Sequence, residues 1–220
     1  MIIIKIIVLF LFLLFVEKYP KLKPFKIETK FNVYRSLMCL FFALYAFENT
    51  INNLIPGYIE PFDYKTEGFT NICQWFIAYI ILDLGKMVWT KNTRWDLYIH
   101  HFYSLFSFAI AFYYNKIGFF HSFILINEAI SIVSGVDSIY MEENEMVKSK
   151  NCKIYRKNII KYVRQPIWII TLLLTLHRAH DIPSLMFWNG LITPCLMIWL
   201  DRYWERKCDK VIEEHRTMDY

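Results

Sequence analysis

Apolar and charged residues in this chain are segregated along the sequence instead of interleaved, and that segregation limits the fold more than any single motif does. Hydrophobic residues make up 56% of the chain and charged ones 20%, yet most of the charges fall between long apolar runs. A water-soluble domain mixes the two, because each helix or strand needs one face for the core and one for solvent. A bilayer with a hydrocarbon core about 30 Å thick instead asks for roughly 17–25 apolar residues per crossing helix. Windows of that size place candidate spans near residues 2–16, 36–55, 70–87, 97–114, 117–136, 165–180 and 183–200. The expected fold is therefore all-α, a multi-pass transmembrane helical bundle of six to seven spans.

The basic residues test this partition independently, since loops retained in the cytosol keep an excess of Lys and Arg. Residues 17–35, 86–96, 137–165 and 201–220 hold nearly all of them, while the intervening segments hold only Lys5, Lys65, Lys116 and Arg178. Such alternation predicts a luminal or extracellular N-terminus and a cytosolic C-terminus. Residues 2–16 are the shortest candidate. They read as an uncleaved anchor, because Phe15, Val16, Glu17 and Lys18 stand where a signal peptide would carry its small-residue cleavage site. The expected organisation is an N-terminal anchor and basic cytosolic linker over 1–35, a transmembrane domain over 36–204 and a charged cytosolic tail over 205–220.

The net charge of +5 follows from this sidedness, so nucleic acid is not implied as a partner. Membrane lipids are. The scattered cysteines give no disulfide or zinc framework. A di-iron centre of the membrane-desaturase kind is not expected, because only six histidines are present and none stands in an H-x-x-H-H or H-x-x-x-H pattern around His100. Neither a metal nor a resident cofactor is therefore expected.

Ionisable side chains inside a membrane are costly unless they face a partner or water, so each is a candidate for chemistry. His100 and His101 open the fourth span, and Asp83 closes the third at a similar depth. Asp96, His100 and Ser104 are spaced four apart, which puts them on one helical stripe and lets the carboxylate orient the imidazole. His101 points about 100° away. The fifth span carries His121, Asn127 and Glu128, the first and last of them seven apart. Glu128, near mid-membrane, needs a donor and suits proton transfer. Bland readings stand beside these: His121 as an interhelical hydrogen bonder, Asp83 as a rim residue paired with Lys86, and the tryptophans at span ends as an interfacial belt. For the adjacent histidines a lined cavity is the better reading, since two neighbouring imidazoles are hard to satisfy on one helix face.

The stretch Trp95–Ser131, WDLYIHHFYSLFSFAIAFYYNKIGFFHSFILINEAIS, with its lead-in IILDLGKMVWTK at Ile80–Lys91, resembles the TLC-domain family, which includes the ceramide synthases. The resemblance extends from about residue 34 to residue 204, and its most specific part is the double histidine. In a ceramide synthase the matching histidines serve N-acylation of a sphingoid base by acyl-CoA. The resemblance thus implies acid/base or acyl-transfer roles for His100 and His101; Asp83, Asp96 and Glu128, reached above from depth and spacing, are the candidates to support them, and Ser104, His121 and Asn127 the candidates for lipid contact. Acyl-CoA would be a co-substrate. Where the synthases carry a His-Asp pair and further acidic residues, this chain has Asn127-Glu128 followed by Ala129, Ile130 and Ser131, which is closer to the non-synthase branches. Those branches are linked to lipid composition, lipid sensing or cargo export from the endoplasmic reticulum. The function expected is lipid binding or lipid homeostasis in an endomembrane, with N-acyl transfer and a non-catalytic cargo receptor or scaffold as alternatives, and a homo-oligomer remains compatible with all three.

Overall fold

The computed structural model of the protein describes residues 2–54, 67–114 and 119–217, and those residues form helices joined by short turns. The helices are α1 (Ile2–Lys18), α2 (Ile27–Leu54), α3 (Glu67–Trp89), α4 (Trp95–Tyr113), α5 (Phe119–Leu125), α6 (Ala129–Glu142), α7 (Met146–Ile159), α8 (Gln165–His177) and α9 (Ser184–Thr217). A 3-10 turn, Ile126–Glu128, joins α5 to α6, and a π-helical turn, Ile160–Arg164, joins α7 to α8. Residue 55 of the second expected span, residues 117–118 of the fifth and residues 218–220 of the charged tail lie outside the described residues.

Three helices among the described residues are long and apolar enough to cross a membrane: Thr70–Trp89, Phe123–Glu142 and Met146–His177. The first matches its expected span closely. The second runs past the expected end at residue 136 to Glu142, the helical path from Phe119 continuing through the 3-10 turn. The third differs most. Residues 146–164, expected as part of a basic cytosolic loop, are helical and run directly into α8. The supposed linker before residue 36 is likewise helical from Ile27, so its last residues belong to the bundle.

The exterior departs from that of a water-soluble protein, and the largely apolar interior also holds charges. Ile3, Leu11, Phe15, Leu44, Phe102, Leu173 and Trp188 are exposed, while Asp83, Arg164 and Asp201 are buried. Exposed apolar area of this extent marks a surface that water does not normally cover. Lys5 shows how a charge is accommodated in the apolar α1: its ammonium donates to Asn71 Oδ1 at 2.5 Å and Gln74 Oε1 at 3.0 Å, which ties α1 to α3.

Three apolar clusters are found among the described residues; the smallest is Ile110, Ile182 and Met186, and the two larger ones meet along α4. The first gathers α1 to α5 around rings: Phe42 meets Phe76 edge-on at 5.2 Å, and Phe76 meets Phe108 at 4.9 Å. The second gathers Ile130, Ile160, Trp168, Met197, Leu200 and Trp204. Helix α4 runs along the seam between them.

Helices α2 and α6 approach closely at Gly135. A Cβ there would lie 1.9 Å from Ser36 Oγ and 2.8 Å from the backbone oxygen of Asn32. The gap lets Ser36 Oγ donate to the Ser131 carbonyl at 2.7 Å and Asn32 Nδ2 to Ser138 Oγ at 2.8 Å. The hydroxyl can rotate away, whereas the carbonyl moves only with its helix. Gly135→Ala is therefore expected to destabilise the bundle by about 1–3 kcal/mol. A thermal midpoint in detergent equal to that of the wild type would mean that the helices are less constrained than the distances imply.

Candidate functional site

The first turns of α4 place His100 and His101 on the seam, and their divergence of about 100° sends one ring to each core. His101 faces α2 and α3. Its Nε2 lies 2.6 Å from Asp83 Oδ2, a hydrogen bond in which the imidazole N–H donates. The other oxygen, Oδ1, accepts from Arg35 Nε at 2.6 Å, and Arg35 Nη2 donates to Oδ2 at 2.9 Å. Asp83 is completely buried and is neutralised by a two-pronged guanidinium on one side and oriented toward an imidazole on the other.

His100 faces the second core. Its Nε2 stands 3.7 Å from Glu128 Oε1, an ion-pair separation too long for a hydrogen bond. Its Nδ1 is 3.4 Å from Met197 Sδ, and Trp204 packs edge-on against the ring with centroids 5.8 Å apart. The two imidazole centroids are 5.3 Å apart. Glu128 also lies within 3.5 Å of Cys39 Sγ. It occupies the last position of the 3-10 turn. The change of helical pitch there breaks the simple seven-residue phase between His121 and Glu128.

The expectation that Asp96 orients His100 is not what the structure has. Asp96 Oδ2 accepts from Trp204 Nε1 at 2.7 Å and from Arg94 Nη2 at 2.5 Å, so α9 and the preceding loop capture the carboxylate. The indole that donates to Asp96 is the one packed against His100. Lys86, the alternative partner for Asp83, goes instead to Glu17 at 2.8 Å. Trp168 and Trp204, taken for interfacial belt, are buried and flank Arg164, whose guanidinium carbon lies 6.0 Å and 5.3 Å from their rings.

A cavity of about 230 Å³ opens between these groups. His100, His101, Glu128, Tyr79, Trp204 and Leu97 line it together with the basic side chains Arg35, Arg94, Lys153, Arg156 and Arg164. A wider hollow of about 400 Å³ adjoins it, sharing Arg94, Lys153, Arg156 and Trp204 and adding Lys207 and Lys210. Cys208 lines this vestibule too, and burial pushes its thiol pKa up, so it adds no negative charge. Ser104 and His121 sit elsewhere, on a pocket of about 30 Å³ that also involves Ser107, Thr193 and Met197. The side chain of Asn127 faces neither space, but its backbone carbonyl accepts from Arg164 Nη1 at 2.7 Å.

Several residues of the site escape a reading by hydropathy. Arg35, Arg94, Lys153, Arg156 and Arg164 look like topogenic loop charges, yet all line the cavity. Arg164 is 1% exposed and its Nε donates to Asp201 Oδ1 at 2.8 Å, while Lys153 pairs with Asp137. A usable signal was the acid at the end of the last apolar run, since Asp201 there requires a cation. The arrangement offers two imidazoles, each beside its own carboxylate, in a partly enclosed space with donors around it. It can bind a polar group and move a proton to or from it. Comparison with protein families, curated proteins and solved structures finds no match for this chain.

Proposed function

We propose that the chain is a multi-pass membrane protein with a TLC-type bundle of six to seven spans, resident in an endomembrane such as the endoplasmic reticulum, that takes the polar end of a membrane lipid into the histidine cavity. The observation that carries this reading is the pairing of each imidazole with a separate carboxylate, His101 with the fully buried Asp83 at 2.6 Å and His100 beside Glu128 at 3.7 Å, with both imidazoles lining one cavity at the end of an apolar bundle. Buried imidazoles and carboxylates are expensive in such surroundings and are kept where they meet a ligand or carry protons. The cations around the cavity accord with a cytosolic mouth, and the apolar exterior with lipid on all sides.

A second reading, an acyl-CoA-dependent N-acyltransferase acting on a sphingoid base, is favoured by one detail. A carboxylate fixing an imidazole by its N–H leaves the opposite ring nitrogen, His101 Nδ1, buried and without a partner among the described residues. A nitrogen held that way keeps its lone pair for a proton from any amine that reaches it.

The test uses the purified full chain with its His100→Ala/His101→Ala variant. Native mass spectrometry reads retained lipid, and labelled acyl-CoA with a panel of long-chain amines reads transfer. Lipid retained by the wild type and reduced at least severalfold in the variant is the expected result. Product formed by the wild type and lost in the variant moves the assignment to the acyltransferase. Equal lipid retention without product in either protein rejects both readings.

A further inference from the structure

The walls of the cavity have a one-sided lack of hydrogen-bond partners. Among its lining residues, the buried polar atoms without a partner among the described residues are all nitrogens: His101 Nδ1, Arg156 Nε and Arg164 Nη2. The two guanidinium nitrogens can only donate. Buried polar groups are normally satisfied, so two vacant donors on side chains that border one space call for acceptor oxygens on what occupies it.

Arg164 is held by contacts on several sides. Nε is taken by Asp201 at 2.8 Å, Nη1 by the Asn127 carbonyl at 2.7 Å, and the guanidinium carbon lies 6.0 Å from the Trp168 ring and 5.3 Å from the Trp204 ring. The π-helical turn ends on this residue, and turns of that kind recur at functional positions because they re-aim a side chain. The nitrogen left over, Nη2, belongs to a side chain 1% exposed that borders the same cavity as His100 and Glu128. Arg156 lies two helical turns earlier, where the cavity meets the vestibule. Arg35, Arg94, Lys153 and Arg164 each face a carboxylate; Arg156 faces none among the described residues.

We propose that Arg164 and Arg156 form an oxyanion site, and that the molecule entering the cavity is an amphiphile with an anionic oxygen-rich head of the phosphate type. A guanidinium presents its donors in a plane that suits such a group, and the bond gains strength from the charge on both partners. This rests on the lipid-binding reading above and specifies the head group that reading leaves open. The phosphate can arrive on a membrane lipid or free in the cytosol, and both would use the same donors.

The full-length protein in detergent is titrated calorimetrically with dioctanoyl phosphatidic acid, with dioctanoylglycerol, which lacks the phosphate, and with inorganic phosphate. The expected result is tighter binding of the phosphatidic acid, by roughly tenfold or more. Arg156→Gln sits on a partly exposed residue and should remove most of that preference. Arg164→Met/Asp201→Leu replaces the buried pair with apolar side chains, preserves the packing and should do the same. Inorganic phosphate displacing the phosphatidic acid identifies a soluble source; failure to displace it identifies the lipid. Equal binding of both lipids overturns the oxyanion site and leaves lipid binding standing. Phosphate bound without either lipid leaves the site standing and removes the lipid reading. Preference for phosphatidic acid undiminished in both variants overturns the assignment to these arginines.

Discussion

Asp83→Ala is expected to destabilise the protein by about 3–5 kcal/mol, because it removes one partner of a buried ion pair and strands the other. Arg35 would keep its charge on a side chain only 13% exposed, and His101 would lose the acceptor that fixes its ring. Folding in detergent, followed by the thermal midpoint and by the monomer fraction on size exclusion, reads the loss. Asp83→Asn provides the contrast: it keeps an acceptor oxygen in place and should lose less. A midpoint for Asp83→Ala within error of the wild type would show that water reaches Arg35 and that the pair contributes little.

The second large effect is expected at Asp201. Asp201→Ala leaves Arg164 with its Nε unpaired at 1% exposure, again a loss of about 3–5 kcal/mol. Replacing both members by apolar residues, Arg164→Met/Asp201→Leu, removes the desolvation cost together with the attraction and should restore most of the stability. The comparison separates structure from function at one position. If the double variant were as unstable as the single one, Arg164 would matter through its hydrogen bond to the Asn127 carbonyl and its ring contacts rather than through its charge.

The helical class was legible because hydropathy over a long window needs no knowledge of neighbours, and Thr70–Trp89 matches its expected span for that reason. His100 and His101 were legible as a pair because two adjacent imidazoles at the start of an apolar run are expensive wherever they point. What could not be read is the pairing. Asp96 and His100 are spaced for contact on α4, yet the carboxylate turns to Trp204 and Arg94, since α9 reaches it first. Residues 146–164 were hidden for another reason: their polar character reads as loop, but Ser149 and Lys153 turn to Asp137 on α6, so part of the polarity faces inward. The same displacement concealed Arg35 and Arg164. A basic residue beside an apolar run has two uses, topology and counter-charge, and only the position of an acid on another helix decides between them.

One stretch of α2 has a mechanical role that its individual contacts do not reveal. Arg35 grips Asp83, the neighbouring Ser36 grips the Ser131 carbonyl just beyond Glu128, and Cys39, one turn on, touches Glu128 itself. Both carboxylates of the site are therefore referenced to the same short piece of backbone. That segment acts as a jig: rolling it about its own axis would shift the two acids together, and neither imidazole could change its partner without the other registering the movement.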